Sequence, residues 1–65
     1  MIRYFITTTN DTTEKIGRSS LMAKSVDEAI AKATKKLRPG AYISCVKAGE
    51  LDERHGWQSV GENLI

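Results

Sequence analysis

The stretch that decides the fold runs from residue 25 to residue 40, SVDEAIAKATKKLRPG. Its start is written as a helix cap. The Ser25 hydroxyl is placed to accept from the Glu28 amide while the Glu28 carboxylate reaches back, and Asp27 and Glu28 put negative charge where the helix dipole favours it. Val26, Ala29, Ile30, Ala33 and Leu37 recur at helical spacing and form one apolar face. Lys35 and Lys36 fall in the last turn, and Arg38-Pro39-Gly40 ends the helix. A single apolar stripe needs a single surface to pack on, and the flanking sequence supplies it as strands.

Upstream, Ile2 to Thr8 reads as a strand, with Ile2, Tyr4 and Ile6 alternating against Arg3, Phe5 and Thr7. Thr9-Asn10-Asp11-Thr12-Thr13 is a turn cluster. Lys15 to Ala23 reads as a weaker strand, with Ile16 and Met22 on one face, Leu21 and Ala23 on the other, and Gly17 weakening it as a candidate place for a bulge. Downstream, Ala41 to Ala48 is a third strand. Simple alternation puts Tyr42, Ser44 and Val46 on one face and Ile43, Cys45 and Lys47 on the other. A right-handed crossover through the helix sets the third strand beside the first. The predicted fold is α+β, in the order β-β-α-β: a three-stranded antiparallel sheet of order 2-1-3 with one helix on one face. Residues 1–48 form this single domain. Residues 49–65 read as a poorly structured acidic tail, in which Trp57 to Val60, bracketed by Gly56 and Gly61, is the one place for a short fourth strand. The second sheet face and both sheet edges are left uncovered.

The chain has 65 residues and a net charge of +2. A domain of this size buries only about 60% of the surface its unfolded chain exposes. One cysteine closes no internal disulfide, and no Cys/His cluster holds zinc. The unpaired cysteine fits a reducing compartment, and neither a signal peptide nor a membrane-length apolar run is present. The expected location is cytoplasmic, in a bacterial host if the chain is phage-encoded. Charge divides unevenly: residues 1–48 carry +5 and residues 49–65 carry −3. Either the tail lies against the body, or the two parts attract different partners.

No catalytic constellation is legible. His55 is the only histidine and reads as an exposed tail residue. Cys45, mid-strand, reads as a small buried hydrophobe. No cofactor or metal is expected. Lys32, Lys35 and Lys36 share a helix face that would suit nucleic-acid phosphates, although a solvated face with one Glu28–Lys32 pair is the commoner meaning of that pattern. Tyr4, Tyr42 and Arg3 are possible stacking platforms on the sheet. Trp57 either caps the thin core or anchors a partner.

The segment AKSVDEAIAKATKKLRPGAYISCVK, within residues 2–48, resembles the corresponding part of the small RNA polymerase inhibitors of T-odd coliphages. The matching positions are Ala23, Asp27, Glu28, Ala29, Pro39, Gly40 and Val46. The resemblance implies a non-enzymatic protein that binds and inhibits bacterial RNA polymerase, and so regulates transcription, through its last strand. Of that family's two basic residues on the closing strand, one falls on Lys47 and the other on Cys45. The family's helix is acidic; here Lys32, Lys35 and Lys36 make it basic.

The function expected from sequence is therefore a small protein-binding module, a phage- or prophage-type modulator of host machinery such as RNA polymerase. Its partner site would comprise Lys47, Arg3, Trp57 and Tyr42. The alternatives are a nucleic-acid-binding accessory protein using Lys32, Lys35 and Lys36, and a homodimer or larger homo-oligomer formed through a sheet edge or the open face.

Overall fold

The computed structural model describes all 65 residues. The elements are β1 (Ile2–Asn10), β2 (Lys15–Ala23), α1 (Val26–Thr34), β3 (Ala41–Asp52) and β4 (Gly56–Val60). They build one antiparallel sheet of order β2-β1-β3-β4, with α1 on one face. No helix is long and apolar enough to cross a membrane.

The β1–β2 hairpin is closed by side-chain chemistry at its tip. The Asn10 Oδ1 accepts from the Thr12 and Thr13 amides at 3.0 and 3.2 Å, as asparagine does in turns. The tip then packs on the turn that leads into β3. Gly40 has φ of +85°, and a Cβ there would stand 2.6 Å from Thr12 Oγ1, so both backbone and space demand glycine. The helix begins as its cap predicts, with Ser25 Oγ accepting from the Glu28 amide at 3.2 Å. Glu28 reaches back to the Lys24 amide, one residue before the cap. The helix stops earlier than the periodic pattern implies. After Thr34 the chain tightens into hydrogen bonds of three-residue span, Lys36 N–H to Ala33 O and Leu37 N–H to Thr34 O. Leu37, half-buried past the helix end, lines a groove on the helix side together with Ile6, Leu21 and Ala33, so the apolar spacing outruns the helix.

The core is thin. Tyr4, Ile6, Ala23, Ala29, Ala33 and Val46 are buried, and only Ile6 and Val46 are large, fully buried side chains. These two pair directly across β1 and β3. The small Ala29 and Ala33 let the helix lie close above the sheet, and Leu21, Val26, Ile30, Ile43 and Ala48 close the margin.

Two expectations are corrected. The sheet has four strands, order 2-1-3-4, where three of order 2-1-3 were expected, and residues 49–65 are not a poorly structured tail. β3 runs on through Gly49 to Asp52, and β4 pairs back along it from Asp52–Gly56 to Ala48–Val60. Gly49 looked like a strand terminator because glycine weakens strands. Here it is buried in mid-strand, where a Cβ would stand 2.7 Å from the Arg3 carbonyl oxygen and 2.9 Å from Phe5 Cε2. The β3–β4 turn is set by Asp52, whose Oδ1 accepts from the Arg54 amide at 2.8 Å, and by Gly56 at φ +73°. Beyond β4 the chain turns at Gly61 and returns to β3: Leu64 N–H donates to Val46 O at 2.8 Å, and Asn63 Oδ1 accepts from Val46 N–H at 2.9 Å.

The second correction concerns faces. Pairing shifts by one residue between Thr7–Cys45 and Thr8–Ile43, so Ser44 is an extra residue in β3. The bulge is held by Thr9 Oγ1–H donating to Ser44 Oγ at 3.0 Å and by Ser44 Oγ–H donating to Thr7 O at 3.2 Å. Beyond it the alternation inverts. Ile43 packs on the core, and Tyr42 lies on the opposite face, the face of Lys47.

Candidate functional site

The face of the sheet away from α1 is bare, and its composition follows from the register. Directly paired residues of an antiparallel sheet point the same way. One row across this face is Ser20, Phe5 and Lys47; the next is Arg18, Thr7 and Cys45; beyond it come Ile16, Thr9 and Tyr42. On the other side of Phe5 lie Met22 and Arg3, then Gly49 and Ser59, and finally Leu51 with Trp57. The face thus holds three cations, Arg3, Arg18 and Lys47, and three aromatic rings, Phe5, Tyr42 and Trp57. No Asp or Glu falls on it: Glu50 and Asp52 alternate to the helix side, and the remaining acids lie in turns, in α1 or beyond Gly61.

Phe5 and Trp57 close over Gly49. A Cβ on Gly49 would meet Phe5 Cε2 at 2.9 Å and Trp57 Cε3 at 3.3 Å, so the absent side chain is what lets both rings lie low on the sheet. The Arg3 guanidinium stands over the Trp57 ring, 5.9 Å from its centroid, within the range of a cation–π contact. Arg3 Nη1 donates to Ser20 Oγ at 2.9 Å, while its Nε is buried without an acceptor. Between Phe5, Arg18, Cys45, Lys47 and Ser59 lies a shallow depression of about 370 Å³. Apolar surface surrounds these groups: Ile16 is 67% exposed and Leu51 64%.

The four residues singled out from sequence, Lys47, Arg3, Trp57 and Tyr42, therefore lie on one face, Tyr42 by virtue of the bulge. The three helix lysines do not form one free patch. Lys32 is tied down, donating to Met22 O at 3.1 Å and pairing with Glu28 Oε1 at 3.1 Å. The Lys32 hydrogen bond to the Glu28 carboxylate is the main cause of a lowered Glu28 pKa, and the Lys24 amide lowers it further. Lys35 and Lys36 lie exposed past the helix end. Lys36 faces a groove of about 550 Å³ on the helix side, floored by Ile6, Leu21, Ala33 and Leu37 and rimmed also by Lys15 and Arg38.

Sequence reasoning missed Arg18, Phe5 and Gly49. The alternation that placed Ile16 and Met22 on one face already placed Arg18 there, and Phe5 alternated with the core residues Tyr4 and Ile6. Gly49 had no local signal.

No nucleophile stands beside a base. His55 lies in the β3–β4 turn, 3.3 Å from Asp52 Oδ2, while Cys45 is half-buried opposite Thr7. Asp52 has a lowered pKa, first from the Arg54 amide and then from His55. No group of three or more His, Cys, Asp or Glu side chains is arranged to hold a metal ion. β3, the strand that the coliphage resemblance makes the binding strand, pairs with β1 over Ala41–Ala48 and with β4 over Ala48–Asp52, and Asn63 and Leu64 bond the Val46 backbone on the β4 side. Comparison with known protein families, with curated proteins and with solved structures returned no match.

Proposed function

We propose that this chain is a non-enzymatic binding module, acting in the reducing cytoplasm, whose bare sheet face docks an anionic macromolecule. One observation carries the reading: a whole sheet face presents Arg3, Arg18 and Lys47 among exposed apolar side chains, with no carboxylate on it. Isolated surface cations are usually balanced by nearby acids; a face of one sign attracts a partner of the other. The apolar surroundings add burial to that attraction, and the two free edges, β2 and β4, frame the face without covering it.

Retention on immobilised heparin at low salt tests the reading. The pair Arg18→Glu/Lys47→Glu on the sheet face and the pair Lys35→Glu/Lys36→Glu at the helix end change net charge equally. The sheet-face pair is expected to abolish retention and the helix-end pair only to weaken it. Equal loss from both pairs removes the sheet face as the docking surface.

The resemblance to coliphage inhibitors gives this face a protein occupant, an acidic surface of bacterial RNA polymerase met through Lys47. That reading requires purified polymerase to bind the wild-type chain and to lose it on Lys47→Glu.

A further inference from the structure

The docking face carries rings as well as charge, and their arrangement names an occupant. Phe5 and Trp57, both half-buried, meet above Gly49, which has no side chain to hold them apart. Cations lie around them: Lys47 pairs directly with Phe5 through β1 and β3, Arg18 lies one row away beside Thr7, and Arg3 stands over Trp57. Tyr42, 46% exposed, pairs with Thr9, four residues along β1 from Phe5. At the rise of a β-strand that separation is about 13 Å. A path from Trp57 over Phe5 to Tyr42 therefore meets a ring at each end and cations between, with the depression bounded by Arg18 and Lys47 along the way.

We infer that this face binds single-stranded nucleic acid, bases stacking on Phe5, on Tyr42 and on the Arg3–Trp57 pair, and phosphates lying against Arg18 and Lys47. The inference rests on the docking reading above and supplies its occupant. Flat rings interleaved with cations suit unpaired bases, since every base has a stackable face and every linkage a negative charge. A duplex keeps its bases stacked on one another and leaves the platform unused. An acidic protein surface satisfies the cations but does not supply a stackable ring with each negative charge, as a single strand does. Lys32 is already engaged with Glu28 and Met22, and Lys36 lies with Lys15 and Arg38 on a separate groove whose lining holds no aromatic ring.

The chain has a single tryptophan, so its fluorescence reports on the platform directly. The full chain is titrated at low salt with a twelve-nucleotide oligo-dT, the matching oligo-U, a mixed-sequence duplex of equal length, inorganic polyphosphate and poly-L-glutamate. The single strands are expected to quench Trp57 and to bind at least about tenfold more tightly than the duplex or either base-free polyanion. Tyr42→Leu, at an exposed position that leaves the core intact, is expected to weaken single-strand binding by about tenfold, and Phe5→Leu by a similar factor. Polyphosphate or polyglutamate binding as well as the oligonucleotides, with Trp57 unquenched, overturns the inference while leaving the docking face in place. So does an unchanged affinity in Tyr42→Leu. Failure of every polyanion to bind removes the docking reading together with it.

Discussion

The side chain of Asn63 takes the place of a strand for Val46: its Oδ1 accepts the Val46 amide at 2.9 Å, where a neighbouring carbonyl would otherwise be needed. The same oxygen accepts from Ile65 N–H, and Asn63 Nδ2 donates to Ser44 O. Val46 is the fully buried centre of the core, so its backbone has no water to turn to. Asn63→Ala is expected to cost about 1–3 kcal/mol in urea unfolding, the penalty of a buried donor left without a partner. Asn63→Asp, which keeps the acceptor, is expected to recover most of that loss. Faster exchange of the Val46 amide in Asn63→Ala, with distant amides unchanged, would locate the effect.

Gly49 is expected to tolerate no side chain. An added methyl meets the Arg3 carbonyl at 2.7 Å and both rings above it. Gly49→Ala should lose about 1–3 kcal/mol through overpacking and shift the Trp57 emission, because the platform must lift. Gly56→Ala offers the contrast: nothing lies within 4 Å of its Cβ, so only its positive φ resists, and Trp57 emission should stay unchanged.

Acid should weaken the fold through two carboxylates. Glu28 is held below its ordinary pKa by the Lys32 hydrogen bond and then the Lys24 amide, and Asp52 by the Arg54 amide and then His55. Each folded pKa lies below the unfolded one. The stabilisation is therefore complete above the ordinary values, about 4, and is lost as pH falls through the depressed ones. Thermal unfolding followed against pH should be level in this contribution above about pH 5 and decline below about pH 4. Glu28→Gln and Asp52→Asn should each make that decline shallower. Both groups are solvent-facing, so the effect is modest.

The helix start should depend on one hydroxyl. Ser25→Ala removes the acceptor for the Glu28 amide and is expected to cost about 1 kcal/mol in chemical denaturation, whereas Ser25→Asp should be neutral.

The parts of the fold readable from sequence are those whose cause is local. The β1–β2 hairpin and the Ser25 cap follow from a few adjacent residues: alternation around Tyr4 and Ile6, turn formers around Asn10, the Ser25–Glu28 pair; the placing of β3 beside β1 follows from the handedness of the crossover through α1. What escaped reading depends on contacts between distant parts of the chain. Gly49 continues a strand because Phe5, forty-odd residues earlier, and Trp57 roof it. The Ser44 bulge is fixed by Thr7 and Thr9 on another strand. β4 is short and flanked by two glycines in left-handed conformations, and it gains order by pairing with the extension of β3 that Gly49 had concealed. For the candidate site, the charges and rings were visible individually, but their meeting on one surface was not. Tyr42 joins Lys47 there only because the bulge breaks the two-residue rhythm.

The bulge also gives β3 a point of slack. With Ser44 removed, Cys45 and Ile43 become neighbours, and Val46, Cys45, Ile43 and Tyr42 resume strict alternation with each side chain still on its present side. The dry residues stay dry and the wet ones stay wet. One residue can be dropped there without turning the strand inside out, whereas a change of length between Val46 and Ala48 would carry Lys47 or its neighbours through the sheet.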